Sequence, residues 1–202
     1  DYGFTQDVVS WCEANGHTLK SVDQAGGAYV ARIQKGRREA AAGVGDQRNA
    51  TMVVFSGELD KVLAAMIIAQ GAVAGGKNVT LFFTFWGLNA LRKGERVKVR
   101  KNLIERMFGW MMPRGAGKLP LSNMNMLGVG PAMIKGIMKQ HHVDDLDVMI
   151  RRSMELGVRF IACTMSMDLM GIRREELMDG VEFAGVGSYI SSNENVGTTL
   201  FI

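Results

Sequence analysis

The sequence predicts an α/β fold with a doubly wound, mostly parallel sheet. Runs of apolar, β-branched and aromatic residues at 51–55, 78–85 and 158–163 indicate three buried strands. Helical segments at about 58–73 and 144–156 precede the second and third of these strands. Continuous apolar strands that alternate with helices are typical of a parallel sheet covered on both faces.

The remaining elements extend this arrangement. A short helix is expected after Cys163, and a last strand at 199–202. Because crossovers between parallel strands are right-handed, the predicted layout is flavodoxin-like. In such a sheet, ligands and catalytic groups gather where strands end and helices begin. Candidate site residues are therefore sought at the carboxyl ends of the strands.

Residues 1–35 predict a small α+β appendage ahead of this sheet. A helix is expected to end at Gly16, and two strands at 18–23 and 29–34 are separated by the hairpin signal Gly26-Gly27. The chain starts without methionine, in what resembles the middle of an element, so we expect it to be a fragment of a longer protein.

The predicted domain organisation has three parts. Residues 1–35 form the appendage, the small, charged and glycine-rich residues 36–48 form a linker, and 49–202 form the main domain. A long basic and methionine-rich insertion at about 92–128 interrupts the main domain. A minimal doubly wound domain does not need it.

Composition excludes several classes of protein. With 47% hydrophobic and 22% charged residues in 202, the chain can form a core and is not disordered. Two cysteines exclude a disulfide scaffold and a cysteine-only zinc site, and they indicate a reducing, cytoplasmic compartment. Adjacent His141 and His142 do not both face one ion at a helix end. No metal and no cofactor are therefore expected.

The mild positive charge is concentrated in one segment. The whole chain carries +4 (24 − 20), whereas residues 92–118 hold nine basic and two acidic residues, a local +7. Such a run is most often a solvated face. The alternative is a docking patch for an acidic protein or an anionic membrane surface. Nucleic acid is not expected, because stacking aromatic residues do not interleave with the charges. The candidate docking residues are Arg96, Lys98, Arg100 and Lys101.

Methionines are concentrated in the same half of the chain. Thirteen of the fifteen lie after residue 106. They suit the irregular gaps of a core or a subunit interface. A second interpretation is an adaptable docking surface or lid over Cys163, and a third is a copper site, although no Cys or His is interleaved at ligand spacing. The candidates for the docking surface or lid are Met111, Met112, Met124 and Met126.

Cys163 is the principal candidate for chemistry. It ends a predicted strand, and Thr164, Met165 and Ser166 begin the next helix. The free N–H groups and positive end of a helix favour a thiolate over a thiol. A thiolate there can attack a sulfane sulfur and hold it as a persulfide. The alternative is an unreactive buried cysteine, as expected for Cys12 on the apolar face of its helix.

The residues around Cys163 resemble a known family. A Leu-Gly-Val turn at 156–158, an apolar strand ending in Cys163, then seven residues and Gly171 are similar to the DsrE/DsrF/DsrH-like sulfur-relay family. The resemblance covers about 49–202. It implies a protein that carries sulfur as a cysteine persulfide between thiol proteins, with Cys163 as the carrier. It also implies TusA-like or rhodanese-like partners and a homo-oligomer, for which the mean hydropathy of +0.05 is a further indication.

The N-terminal residues resemble a second family. Residues 1–35 are similar to the second half of a TusA-like domain. The Cys-Pro motif that carries sulfur in that family lies upstream of this half, and no Cys-Pro occurs in this sequence. The segment therefore cannot perform TusA-type chemistry by itself.

These observations lead to two principal functional hypotheses. The first is a cytoplasmic sulfur-relay protein, and the residues do not distinguish a sulfurtransferase that turns over from a carrier. The alternative is a non-catalytic oligomeric adaptor, membrane-associated or bound to an acidic protein through its basic, methionine-rich insertion. A flavodoxin-like nucleotide binder is a third hypothesis.

Overall fold

The protein is described by a computed structural model that covers residues 5, 8–9, 12–13, 16–26, 28–36, 49–192 and 196–202. Near the N-terminus, strands β1 (Thr18–Ala25) and β2 (Ala28–Gln34) pair as an antiparallel hairpin. The described residues that precede them are helical up to Glu13, and Gly16 adopts a positive φ of 64° as the expected stop. Most of the predicted linker, 37–48, lies outside the described residues.

The main domain contains a five-stranded sheet in which every neighbouring pair is parallel. Its order is β6-β5-β4-β3-β7. The predicted parallel α/β architecture is therefore confirmed. The last strand is longer than predicted, and a three-residue strand was missed. The strands are β3 (Asn49–Val54), β4 (Asn78–Phe83), β5 (Arg159–Cys163), β6 (Glu182–Ala184) and β7 (Val196–Phe201).

Six α-helices lie between β3 and β7 in the described part of the chain. The connections from β3 to β6 all step in one direction, whereas the connection from β6 returns to β7 at the opposite edge. Right-handed crossovers therefore place the returning helix on the other face of the sheet. None of the described helices is long and apolar enough to cross a membrane. The helices are α1 (Leu59–Ala74), α2 (Leu103–Met111), α3 (Val129–Gln140), α4 (Leu146–Glu155), α5 (Thr164–Met170) and α6 (Val186–Ser192).

Side-chain alternation along the strands creates two unequal cores. On the first face, Phe83 and Phe160 stack with ring centroids 5.5 Å apart inside the large cluster that α1 and α4 cover. On the second face, Phe82 stacks on Tyr189 of α6 at 4.5 Å. Because successive strand residues point to opposite faces, β3, β4, β5 and β6 contribute to both cores. The small second core consists of Phe82, Ile161, Cys163 and Tyr189, with Val53 and Ala184 packed against it.

The segment between β4 and β5 contains most of the predicted insertion. A 3₁₀ helix at Phe85–Leu91 follows β4, and α2 begins at a capping box in which Asn102 and Glu105 bond each other's backbone N–H groups. This N-cap arrangement satisfies donors that the first turn leaves free. The insertion is thus an ordered substructure that packs on the carboxyl edge of the sheet.

Gly87 should be indispensable where β3 meets the 3₁₀ helix. A Cβ at Gly87 would lie 2.2 Å from the carbonyl oxygen of Val54, so Gly87→Ala should lower the free energy of unfolding by about 2–3 kcal/mol. Gly71→Ala is the matched control: Gly71 lies within α1, nothing lies within 4 Å of its Cβ, and the change should add about 0.5–1 kcal/mol. Urea unfolding measures both. Equal stability of Gly87→Ala and the wild type would contradict the close approach.

Candidate functional site

Cys163 lies where the sequence places it in the chain, but its thiol is enclosed. It is the last residue of β5 and the N-cap of α5. Its side chain belongs to the small second core, and none of its surface is exposed. Tyr189 of α6, itself 6% exposed, belongs to the same cluster. A reagent therefore reaches the sulfur only when this cover moves.

At the start of α5, the side chain of Ser166 is hydrogen-bonded to a residue of another segment. Ser166 is fully buried, and its hydroxyl lies 2.6 Å from that of Thr84, which follows β4. This hydrogen bond joins the carboxyl ends of two neighbouring strands. Met165 is exposed and Thr164 is half-buried. Since α5 spans only seven residues, the charge at its N-terminus is small, and the local N–H groups matter more than the dipole.

The second cysteine and the paired histidines are not members of the packing cluster around Cys163. Cys12 and Cys163 are both free and both buried. His141 and His142 are exposed, and Asp144 beside them pairs with Arg152 at 2.6 Å. Among the described residues no three His, Cys, Asp or Glu side chains are grouped as metal ligands require.

A crevice of about 390 Å³ opens at the carboxyl end of β3. Its lining follows the carboxyl ends of β3 and β4, the edge of the sheet at which doubly wound folds bind ligands. Sequence reasoning did not single it out, although Ser56-Gly57 follows the strand. Its lining includes Phe55, Ser56, Gly57, Lys61, Trp86 and Asn89.

A buried ion cluster holds the insertion against the rest of the domain. The carboxylate of Glu176, 1% exposed, accepts hydrogen bonds from Arg92 at 3.2 Å and Arg114 at 3.1 Å, and forms an ion pair with Lys101. The backbone N–H of Arg173 donates a further bond to it at 3.0 Å. Three cations thus share one carboxylate. The basic residues of the insertion alone did not point to this partner, which lies 62–84 residues later.

The charges of the cluster shift each other's titration. Burial alone would raise the pKa of Glu176, but the Arg173 N–H and the charges of Lys101 and Arg92 outweigh it and hold the pKa below its ordinary value. Burial and the neighbouring guanidinium of Arg114 lower the pKa of Arg92, although Glu176 opposes this. The carboxylate is therefore the charged form in the folded protein.

The four predicted docking residues do not form one exposed patch. Arg96 and Lys98 are exposed and line a cavity with Lys101, whereas Arg100 lines a neighbouring hollow. The Lys101 side chain is only 6% exposed because it pairs with Glu176. Of the predicted lid methionines, Met112 is buried and Met111, Met124 and Met126 are exposed.

Glu176→Gln should be strongly destabilising. It leaves buried cations without their counter-charge, so the free energy of unfolding should fall by about 3–5 kcal/mol at neutral pH. Because the folded pKa is depressed, the carboxylate's contribution is present above the unfolded pKa and is lost as the pH falls through the folded pKa. The difference from wild type should therefore shrink below about pH 4.

Glu182→Gln provides the matched control for this measurement. It removes the half-exposed pair that Glu182 makes with Arg159. The expected cost is less than about 1 kcal/mol. Denaturant unfolding at several pH values measures both variants, and equal costs for the two would refute a special role for the buried cluster.

Comparison with known proteins places this arrangement in a family. The profile of the DsrE/DsrF/DrsH-like family matches residues 46–201. A curated protein of Bacillus subtilis, "Uncharacterized protein YrkE", is 51% identical over 155 residues, which is 77% of this chain and 97% of that protein. "Sulfur carrier protein DsrE2" of Allochromatium vinosum is 33% identical over 148 residues, 71% of this chain and 91% of that protein.

Solved structures give weaker likenesses. The ychN protein from E. coli has a TM-score of 0.44 at 12% identity and covers 76% of this chain and 99% of its own. Protein MTH1491 from Methanobacterium thermoautotrophicum has a TM-score of 0.39 at 15% identity, with coverage of 75% and 97%. The resemblance of residues 1–35 to half of a TusA-like domain stays a prediction. On the sequence matches, which include all strands of the parallel sheet, the chain belongs to the DsrE/DsrF/DrsH-like family.

Proposed function

We propose that this protein is a sulfur-relay protein that carries sulfane sulfur as a persulfide on Cys163. The observation that supports this most directly is the position of Cys163 between β5 and α5, at the carboxyl edge of the sheet. It is the one cysteine of the sequence within the family-matched residues 46–201. A relative of 33% identity is named a sulfur carrier.

The transfer step balances without an external oxidant. The thiolate of Cys163 attacks the outer sulfur of a donor persulfide, a sulfur–sulfur bond forms at Cys163, and the donor's sulfur–sulfur bond breaks. The donor leaves as a thiolate, and the sulfane sulfur keeps its oxidation level. Passing the sulfur to an acceptor thiol reverses these roles. The backbone N–H groups of Thr164, Met165 and Ser166 are the proposed donors to the thiolate and to the persulfide anion.

Access to Cys163 requires α6 to move. The helix has seven residues, and among those whose burial is described only Tyr189 is buried. A short element that buries one aromatic side chain opens at lower cost than global unfolding. In this proposal the closed state protects the persulfide and a docked thiol protein stabilises the open one.

The partners follow from the same chemistry. TusA-like or rhodanese-like thiol proteins are the proposed donors and acceptors, and a cytoplasmic homo-oligomer is the proposed assembly. The side chains of Ile190 on α6 and Phe201 on β7 lie mostly exposed on the second face of the sheet. Burying them against another copy would remove apolar surface from water.

One observation favours the adaptor as a second candidate function. Leu103, Met107, Trp110 and Met111 recur at helical spacing on α2, and all four are more than half exposed. A helix with an apolar outer face and basic neighbours is typical of proteins that lie on an anionic membrane surface. An acidic protein is the other occupant for such an adaptor. Either form of docking would be indifferent to Cys163.

Cys163→Ser should abolish sulfur loading. After incubation with thiosulfate and a rhodanese, intact-mass spectrometry should show one added sulfur atom on the wild type and on Cys12→Ser, and none on Cys163→Ser. The Cys12→Ser variant is the matched control, because it removes the other buried thiol. If Cys163→Ser still gains sulfur and Cys12→Ser does not, the carrier assignment is wrong.

Tyr189→Ala should expose the thiol. Lowering the free energy of local opening by about 1.4 kcal/mol raises the alkylation rate of Cys163 about tenfold, and removing a buried aromatic ring exceeds that. Met149→Ala is the control, since it also truncates a side chain that is 6% exposed but belongs to the first core. Timed iodoacetamide labelling with peptide mass spectrometry measures both. Equal acceleration by the two variants would show that global loosening, not α6, controls access.

A further inference from the structure

The strongest unexplained feature is a basic cavity beside α2. Its volume is about 480 Å³, within the range of small-molecule sites. Five cationic side chains and one carboxylate line it, a net charge of +4. Neither the sheet nor the chemistry at Cys163 needs this concentration of charge. The charged lining residues are Arg96, Lys98, Lys101, Arg106, Arg114 and Glu176.

The single carboxylate is already saturated. Glu176 bonds Lys101 and Arg114 in the cavity wall and the fully buried Arg92 behind it. No other acidic side chain of the described chain pairs with Arg96, Lys98 or Arg106. Glu105, the nearest acid of α2, is occupied by Arg173 at 2.9 Å. The cavity therefore has a net positive charge that no described acidic side chain neutralises. The ion cluster beneath it is also net positive, because three cations share the single carboxylate of Glu176.

One wall of the cavity comes close to two cations of the Glu176 cluster. Gly109 of α2 faces them: a Cβ there would stand 3.6 Å from Nζ of Lys101 and 3.9 Å from Nη2 of Arg92. The helix thus presents its smallest residue to the cluster. A concave surface lined by one sign of charge concentrates its field on an entering counter-ion. Lysine and arginine together bind multivalent oxyanions through charge-assisted hydrogen bonds.

The remaining lining is apolar. Val97 and Val99 contribute to the wall, and the indole of Trp110, 74% exposed, stands at the rim. An aromatic rim suits an organic group attached to an anion. It also connects the cavity with the outward apolar face of α2, on which Trp110 lies.

We propose that this cavity binds a phosphate-type oxyanion, with Lys98 and Arg106 as its main free ligands and Lys101 and Arg114 as its floor. The oxyanion comes either from a free small molecule or from the head group of an anionic lipid, and the chemistry of recognition is the same for both. The site is separate from Cys163 and does not depend on the sulfur-relay proposal.

Two double variants of equal charge test the site in the full chain. Lys98→Gln with Arg106→Gln removes two exposed cations that bond no described carboxylate, so the fold should persist. Lys139→Gln with Arg151→Gln removes the same charge from exposed positions on α3 and α4, outside the cavity. Calorimetry with inorganic pyrophosphate and sedimentation with phosphatidylglycerol or phosphatidylcholine vesicles are the two arms. Tryptophan fluorescence is recorded as pyrophosphate is added. A change in fluorescence that is lost in the Trp110→Phe variant shows that the anion binds beside Trp110.

The proposal expects pyrophosphate to bind in the micromolar range and the cavity double variant to bind at least about tenfold more weakly, while the control double variant binds as wild type does. Loss of pyrophosphate binding in the cavity variant supports a free oxyanion. Sedimentation with phosphatidylglycerol vesicles but not with phosphatidylcholine vesicles, if it is lost in the cavity double variant, supports a lipid head group as the source of the oxyanion. Absence of both interactions, or equal weakening by the two double variants, overturns the site.

Discussion

The carboxylate of Glu176 is the contact on which the arrangement of the insertion depends. It binds three cations of the insertion: Arg92 at its start, Lys101 before α2 and Arg114 after α2. Glu176 itself lies in the segment that follows α5, so these contacts connect the insertion to that segment. Two backbone hydrogen bonds connect the same two segments. The N–H of Lys93 donates to the carbonyl oxygen of Glu176, and the N–H of Met178 donates to the carbonyl oxygen of Leu91. One buried acid therefore fixes three points of a segment that has little apolar core of its own.

The second constraint is the two-residue period of β5. Because Phe160 and Ala162 face the large core, Ile161 and Cys163 must face the opposite side, where α6 is the only described helix in the cluster. A reactive cysteine at a strand end would be expected at the edge of the sheet, open to solvent. Here the same position lies under Tyr189. The Cys163 thiol is thus covered by a seven-residue helix rather than open in a preformed cleft.

The sequence predicted what depends on local patterns and missed what depends on distant contacts. Apolar runs predicted β3, β4 and β5, and the position of Cys163 before a helix was correct. The three residues of β6 carry no recognisable pattern. An Asn-x-x-Glu signal at 102–105 was available to predict the start of α2, but the surrounding charges concealed it. Reasoning from the sequence did not find Glu176, which anchors the insertion, or Tyr189, which packs over Cys163, since both contact residues far away in the chain.

The two candidate sites also differ in how they relate to stability. Cys163 is enclosed by a seven-residue helix, so a partner proposed to bind there would compete with a local free energy of opening. Lys101 and Arg114 belong both to the Glu176 cluster and to the basic cavity. An anion in the cavity would offset part of the excess positive charge around Glu176, and a ligand that binds only the folded chain stabilises it. Part of the basic segment therefore anchors the insertion and also lines the basic cavity.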